Sequence, residues 1–275
     1  MKSKVLVIVG PTASGKSDFA VKLAKKINGE IISADSRQVY KGLDIGSGKI
    51  TKKEMRGIPH HLLDVVDLKK QFSVADYKKL ALKKIKEILE RKKIPIVVGG
   101  SGFYIDSLQT KLPDVPPNKK LRKKLERYSA EKLFLMLKSK DKERAKNIDR
   151  HNKVRLIRAL EIVEALGKVP RKMELETEYD FEFIGLSPKN LEKRIHKRLI
   201  KRMPRMIKEV KDLKTKGVTW KRFDELGLEY RYVSKYLKGE MQKGETVEKL
   251  FIEIKRYAKR QMTWFKRNKK INWVK

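Results

Sequence analysis

The chain has 275 residues, 40% of them hydrophobic and 38% charged, with 70 Lys and Arg against 34 Asp and Glu for a net charge of +36. That length fits one large domain or a core with a smaller insertion, and the charge suits a polyanionic partner such as RNA, DNA or an anionic membrane surface unless it is a Lys-rich compositional bias. With zero Cys, disulfides, thiolate catalysis and Cys-ligated zinc are excluded; no apolar run near the start is long enough for a signal segment or membrane span, so a soluble cytoplasmic protein is expected.

Val5 to Val9 is a continuous apolar run ended by Gly10, which predicts a buried strand. A helix should follow from Lys16 to about Ile27, with Phe19, Ala20, Leu23, Ala24 and Ile27 on one face and Gly29 as the stop. Glu30 to Ala34 predicts a second strand, Val74 to Lys92 a long helix, and Ile94 to Val98 a third strand closed by Gly99-Gly100. Strands alternating with helices imply a parallel sheet covered on both faces. Leu112-Pro-Asp-Val-Pro-Pro117 reads as a hinge. Beyond it, residues 118–172 are helical in pattern, and Phe181 to Leu186 returns to strand chemistry. The expected organisation is a core of residues 1–113 and 179–275 carrying a helical insertion at 114–178, with residues 189–275 helical again. The insertion holds 19 basic against 11 acidic residues, and Lys255–Lys275 holds nine bases, no acid, and Tyr257, Trp264, Phe265 and Trp273. Those aromatics suit either stacking platforms in a backbone groove or apolar anchoring of a terminal helix.

Gly10-Pro11-Thr12-Ala13-Ser14-Gly15-Lys16-Ser17 fits G-x-x-x-x-G-K-[ST], after a buried strand and at a helix start. Such a loop cradles a diphosphate or triphosphate with its backbone N–H groups, Lys16 adds a point charge, and the Ser17 hydroxyl can ligate Mg²⁺. The third strand ends in Gly99-Gly100-Ser101, without the acid that ATPases and GTPases place there for the metal. Asp35, after the second strand, lies at the carboxyl edge where open α/β sheets bind ligands. It could ligate metal, act as a general base, or cap a turn. His60-His61 read as structural or RNA-facing rather than metal-binding, and Arg155 with Arg158, like Arg194 with Arg198, share a helix face suited to phosphate.

Together these segments resemble the bacterial tRNA dimethylallyltransferases. The resemblance is carried by GPTASGKS at 10–17, SADSRQVYKGLDIGSGK at 33–49, GIPHHLLD at 57–64, VVGGSGFYIDSL at 97–108, RLIRALE at 155–161 and KRQMTWFK at 259–266. It departs from the usual pattern at Ser47-Gly48 and Gly227 to Arg231. The resemblance implies an α/β, P-loop NTPase-like core and transfer of a dimethylallyl group from dimethylallyl diphosphate to N6 of the adenosine 3′ of the anticodon. It further implies that Gly10 to Ser17 hold the diphosphate rather than ATP, with Mg²⁺ as cofactor, Asp35 as base, Thr12 at the bridging oxygen and Arg198 on the leaving group. The implied tRNA contacts are Asp35, Ser36, Arg37, Gln38, Ser101, Arg122, Val154, Arg155, Leu156, Ile157 and Arg158, gripping the anticodon stem-loop, and a monomer is the expected state. Two other readings compete: a P-loop kinase with ATP as donor, and an RNA binder on an inactive P-loop scaffold. The first leaves the basic insertion and tail without a role, the second leaves Asp35 beside an intact Gly15-Lys16-Ser17 without one.

Overall fold

A computed structural model describes residues 2–170 and 175–274. In chain order its elements are β1 (Ser3–Val9), α1 (Lys16–Lys26), β2 (Gly29–Ser33), α2 (Lys52–Met55), β3 (His60–His61), α3 (Val74–Glu90), β4 (Ile94–Gly99), α4 (Gly102–Ser107), α5 (Lys119–Leu125), α6 (Ala130–Lys140), α7 (Lys142–Lys146), α8 (Lys153–Leu166), β5 (Tyr179–Leu186), α9 (Leu191–Thr215), α10 (Trp220–Leu226), α11 (Leu228–Leu237), α12 (Lys243–Phe265) and β6 (Ile271–Val274). Among the described residues the strands form one parallel sheet in the order β3-β2-β4-β1-β5-β6. Successive strand side chains point to opposite faces, and both faces of β1 are covered. Val5, Val7 and Val9 pack with Ile32, Val97 and the α3 residues Tyr77, Ala81, Ile85 and Ile88. Leu6 and Ile8 pack with Ile31, Ile96 and the α1 residues Ala20, Val21 and Ala24 on the other face. Because every pairing is parallel, the segments that follow β1, β2 and β4 leave the sheet at the same carboxyl edge.

One sequence expectation needs correction. The chain after residue 189 is not helical to its end: Ile271–Val274 forms β6, pairing Phe183 with Ile271 and Gly185 with Trp273. Four residues are too few to show a period amid basic neighbours, and the open edge of β5 supplies the partner. The aromatics of the basic tail also divide. Phe265 is core, Trp273 packs over Gly185, Tyr257 is half-buried, and Trp264 is half-buried against α4. The paired histidines are structural: His60 Nδ1 meets the Ile58 carbonyl at 2.8 Å, and His61 Nε2 meets the Glu30 carboxylate at 2.7 Å.

The chain divides into two units, Met1–Gln109 with Glu176–Lys275, and Thr110–Leu175. The end of the expected helical stretch, residues 171 and 172, lies outside the described residues. The second unit packs α5 to α8 around Leu125, Leu133, Leu137, Leu156, Ile157, Leu160 and Val163. Glu161 is buried within it and accepts the Asn118 N–H at 3.1 Å, Arg122 Nη2 at 2.6 Å and Arg158 Nη1 at 3.5 Å. Arg158 also donates Nη2 to the Val115 carbonyl at 2.7 Å. This cluster joins the hinge segment, α5 and α8. Removing one member of a buried charge cluster costs about 3–5 kcal/mol. Glu161→Ala should therefore lower the unfolding free energy of this unit, read from denaturant titration, by that amount, with hydrogen exchange rising first in α5 and α8; unchanged protection there would mean the carboxylate contributes nothing.

Candidate active site

The phosphate loop leaves β1 at Gly10 and enters α1 through Gly15, whose φ of 95° lies in the left-handed region that glycine adopts without strain. The N-cap of α1 is Gly15, and among the described residues no side chain caps it, so its first-turn N–H groups remain for an anion. The Ser14 hydroxyl is buried without a hydrogen-bond partner among the described residues. Lys16 donates Nζ to the Pro11 carbonyl at 2.7 Å. Burial pulls its pKa down to about 7, with Asp35 opposing that fall and Arg198 reinforcing it.

The loop forms one wall of a cavity of about 940 Å³. Thr12 to Ser17, Asp35 to Gln38 and Arg198 all line it; Gly10 and Pro11 stand behind. Asp35 Oδ1 accepts the N–H groups of Arg37 at 2.8 Å and Gln38 at 3.3 Å, which makes it the cap of the turn after β2. One oxygen thus holds the turn, and Oδ2 takes no hydrogen bond among the described residues. Ser36 N–H donates to Ser101 Oγ at 3.1 Å, tying that turn to the segment after β4.

Gln261, Arg202 and Glu229, which sequence reasoning passed over, complete the wall. Gln261 of α12 accepts the Thr12 N–H at 2.8 Å and donates Nε2 to the Gly100 carbonyl at 2.9 Å. Its signal was its place in Tyr257, Gln261 and Trp264, one helical stripe among bases. Arg194 Nε donates to the Ala13 carbonyl at 2.9 Å and Arg198 Nη2 to the Gly48 carbonyl at 3.4 Å. Arg202, four residues beyond Arg198, has a buried Nη2 without a hydrogen-bond partner among the described residues, and burial followed by the neighbouring Arg198 charge pulls its pKa down to about 10. Glu229, also in the wall, has a carboxyl pKa raised by burial and opposed by Arg202. Glu209 shapes the Asp44–Gly48 segment: it accepts the N–H groups of Asp44 at 2.9 Å, Ile45 at 2.6 Å and Gly46 at 2.9 Å, and the Tyr230 hydroxyl at 2.8 Å. Gln38 Nε2 reaches the Gly48 carbonyl of the same segment at 3.4 Å.

The remaining expected RNA contacts lie on the helical unit. Leu156 and Ile157 have their side chains buried in that unit's own core, so of residues 154–158 Val154, Arg155 and Arg158 alone present side chains to solvent. Arg122 and Arg158 are half-buried on Glu161, which restrains their guanidinium groups. Val154 is 77% exposed and Arg155 is exposed beside it. Among the described residues no three His, Cys, Asp or Glu side chains converge on a metal position, and no helix is long and apolar enough to cross a membrane. The oxygen donors in the cavity wall, Ser17 Oγ and the Asp35 carboxylate, are of the kind a hard cation takes when phosphate oxygens and water complete its shell.

A sequence model of the family described as IPP transferase matches residues 38–268. The chain is 42% identical over 290 aligned residues to the tRNA dimethylallyltransferase of Caldanaerobacter subterraneus, covering 99% of this chain and 92% of that one. The crystal structure of the tRNA isopentenylpyrophosphate transferase of Bacillus halodurans is 38% identical, with a TM-score of 0.73 over 99% of this chain and 90% of its own. A eukaryotic dimethylallyltransferase, captured acting on tRNA, is 29% identical with a TM-score of 0.79 over 96% of this chain and 70% of its own. A family match across most of the chain, relatives above 40% identity over nearly full length and the same fold leave one assignment: the chain belongs to the IPP transferase family, that of the tRNA dimethylallyltransferases.

Proposed function

We propose that this enzyme transfers a dimethylallyl group from dimethylallyl diphosphate to N6 of the adenosine 3′-adjacent to the anticodon of tRNA, releasing diphosphate. One observation carries the reading. An intact phosphate loop and Asp35 line a single cavity, while β4 ends in Gly99-Gly100-Ser101 without a metal-binding acid. The loop is therefore suited to holding a diphosphate as leaving group rather than activating a γ-phosphoryl. N6 attacks C1 of the donor, the C1–O bond breaks with its electron pair going to the bridging oxygen, and the N6 proton passes to Asp35. In this reading the Thr12 hydroxyl donates to that oxygen. Lys16, Arg198 and the α1 N-terminus stabilise charge that develops on the diphosphate, an interaction strongest in the transition state.

Mg²⁺ bound through Ser17 and the diphosphate oxygens would supply further charge neutralisation. On the RNA side, Asp35 to Gln38 and Ser101 serve the adenosine and its neighbours, and Val154 and Arg155, with the restrained Arg122 and Arg158, offer contacts on the helical unit. The net charge of +36 favours such an RNA partner.

Purified protein incubated with unmodified tRNA, labelled dimethylallyl diphosphate and Mg²⁺, without ATP, should transfer label to the tRNA. ATP consumption coupled to product would identify a kinase-type reaction, and tRNA binding without transfer a scaffold that only binds. Asp35→Asn keeps a turn-capping oxygen but cannot take a proton. Its single-turnover rate should fall by about two to four orders of magnitude while donor affinity survives; transfer at the wild-type rate would leave Asp35 a turn cap alone.

Lys16, whose pKa burial pulls down to about 7, is only partly charged at neutral pH. Anionic donor oxygens beside it raise that pKa, so binding at pH 8 should draw in a proton, and donor affinity should fall as pH rises above about 7. Calorimetry in buffers of different ionisation enthalpy reads this uptake. It should vanish in Lys16→Met; equal uptake by the variant would place the proton on the diphosphate.

A further inference from the structure

Phe103, the second residue of α4, exposes 53% of its surface and belongs to none of the hydrophobic clusters of its unit. Its ring meets Trp264 of α12 edge to face, with centroids 6.5 Å apart at 69°. The Arg267 guanidinium lies over the same indole at 5.5 Å. Gly102 makes this arrangement possible, since a Cβ there would collide with the Trp264 ring. Lys259, Arg260, Lys266 and Arg267 are exposed nearby on α12 and just beyond its end, and no acidic residue occurs from Lys255 to Lys275. The sheet needs Trp264 in part, but it does not need Phe103.

The position of the pair gives it a use. Tyr257, Gln261 and Trp264 recur at helical spacing on one stripe of α12. The first two line the cavity, and Gln261 holds Thr12 and Gly100. Trp264 and Phe103 therefore continue that wall outward past Gly100 and Ser101, and Ser101 is hydrogen-bonded to the Asp35 turn. An exposed aromatic face bordered by arginine and lysine matches an unpaired nucleobase with its phosphate: the base has a π-face to stack, and the phosphate answers the cations.

We propose that Phe103 and Trp264, flanked by Arg267, form a stacking platform for a nucleobase flanking the adenosine that enters the cavity; this rests on the tRNA reading above. An adenosine that leaves its stack strips a stacking partner from its neighbours. The platform replaces that lost surface on the protein and so offsets part of the cost of extrusion. Every base has a π-face, so the platform tolerates different flanking bases and adds affinity rather than sequence choice.

The test uses the full chain and an unmodified anticodon stem-loop at one fixed salt concentration. Phe103→Ala should weaken RNA affinity by about 5- to 150-fold, the range of one lost base–aromatic stack, and the loss should fall on the KM for RNA and leave donor affinity alone. Phe103→Tyr restores a π-face and should recover binding, whereas Phe103→Leu keeps apolar bulk without it and should not. With 2-aminopurine at each position flanking the target, the RNA bound to Phe103→Ala should be brighter at one position than RNA bound to wild type, because its base is unstacked. A Leu variant that binds like wild type, or equal brightness at both positions, overturns the platform. A wild type that neither binds nor modifies the stem-loop overturns the tRNA reading and the platform with it; a competent wild type matched by Phe103→Ala overturns the platform alone.

Discussion

The Gln261 side-chain amide holds the site together. Thr12 N–H and the Gly100 carbonyl stand just past the ends of β1 and β4, where the ladder hydrogen bonds have run out, and Gln261 satisfies both. A buried backbone group left unpaired costs about 1–3 kcal/mol, so α12 is pinned to the carboxyl edge of the sheet at one point. Once it is pinned there, Tyr257 falls into the cavity wall and Trp264 against Gly102. The phosphate loop, the end of β4 and α12 are then one structure, although residue numbers 12, 100 and 261 lie far apart.

The arginines show how the fold assigns different work to the same side chain. Arg122 and Arg158 meet the buried Glu161 and become part of the helical unit's framework. Arg198 and Arg202 have no carboxylate at salt-bridge distance among the described residues, and they stand with Lys16 around the cavity. Closely spaced cations in a partly desolvated wall are costly until an anion arrives, and Asp35 and Glu229 offset part of that cost. A carboxylate near the site is used for shape: Glu209 gathers three backbone N–H groups and the Tyr230 hydroxyl to fix the segment whose Gly48 carbonyl receives Arg198.

The sequence by itself determined the parallel core, because buried strands are continuous apolar runs and their helices carry an apolar stripe; β1, α1, β2, α3 and β4 all begin and end close to where those patterns do. It also determined the phosphate loop, whose Gly, Lys and Ser spacing is local, and the nearness of Asp35, which follows from the shared carboxyl edge of parallel strands. Only the tertiary structure decided the rest. That Leu156 and Ile157 have their side chains in a core, that Glu161 restrains two arginines, that Ile271–Val274 closes the sheet, and that Gln261, Arg202 and Glu229 reach the cavity are all outcomes of contacts between segments distant in sequence. Periodicity reports which way a side chain points within its own element; it carries no information about which other element it meets.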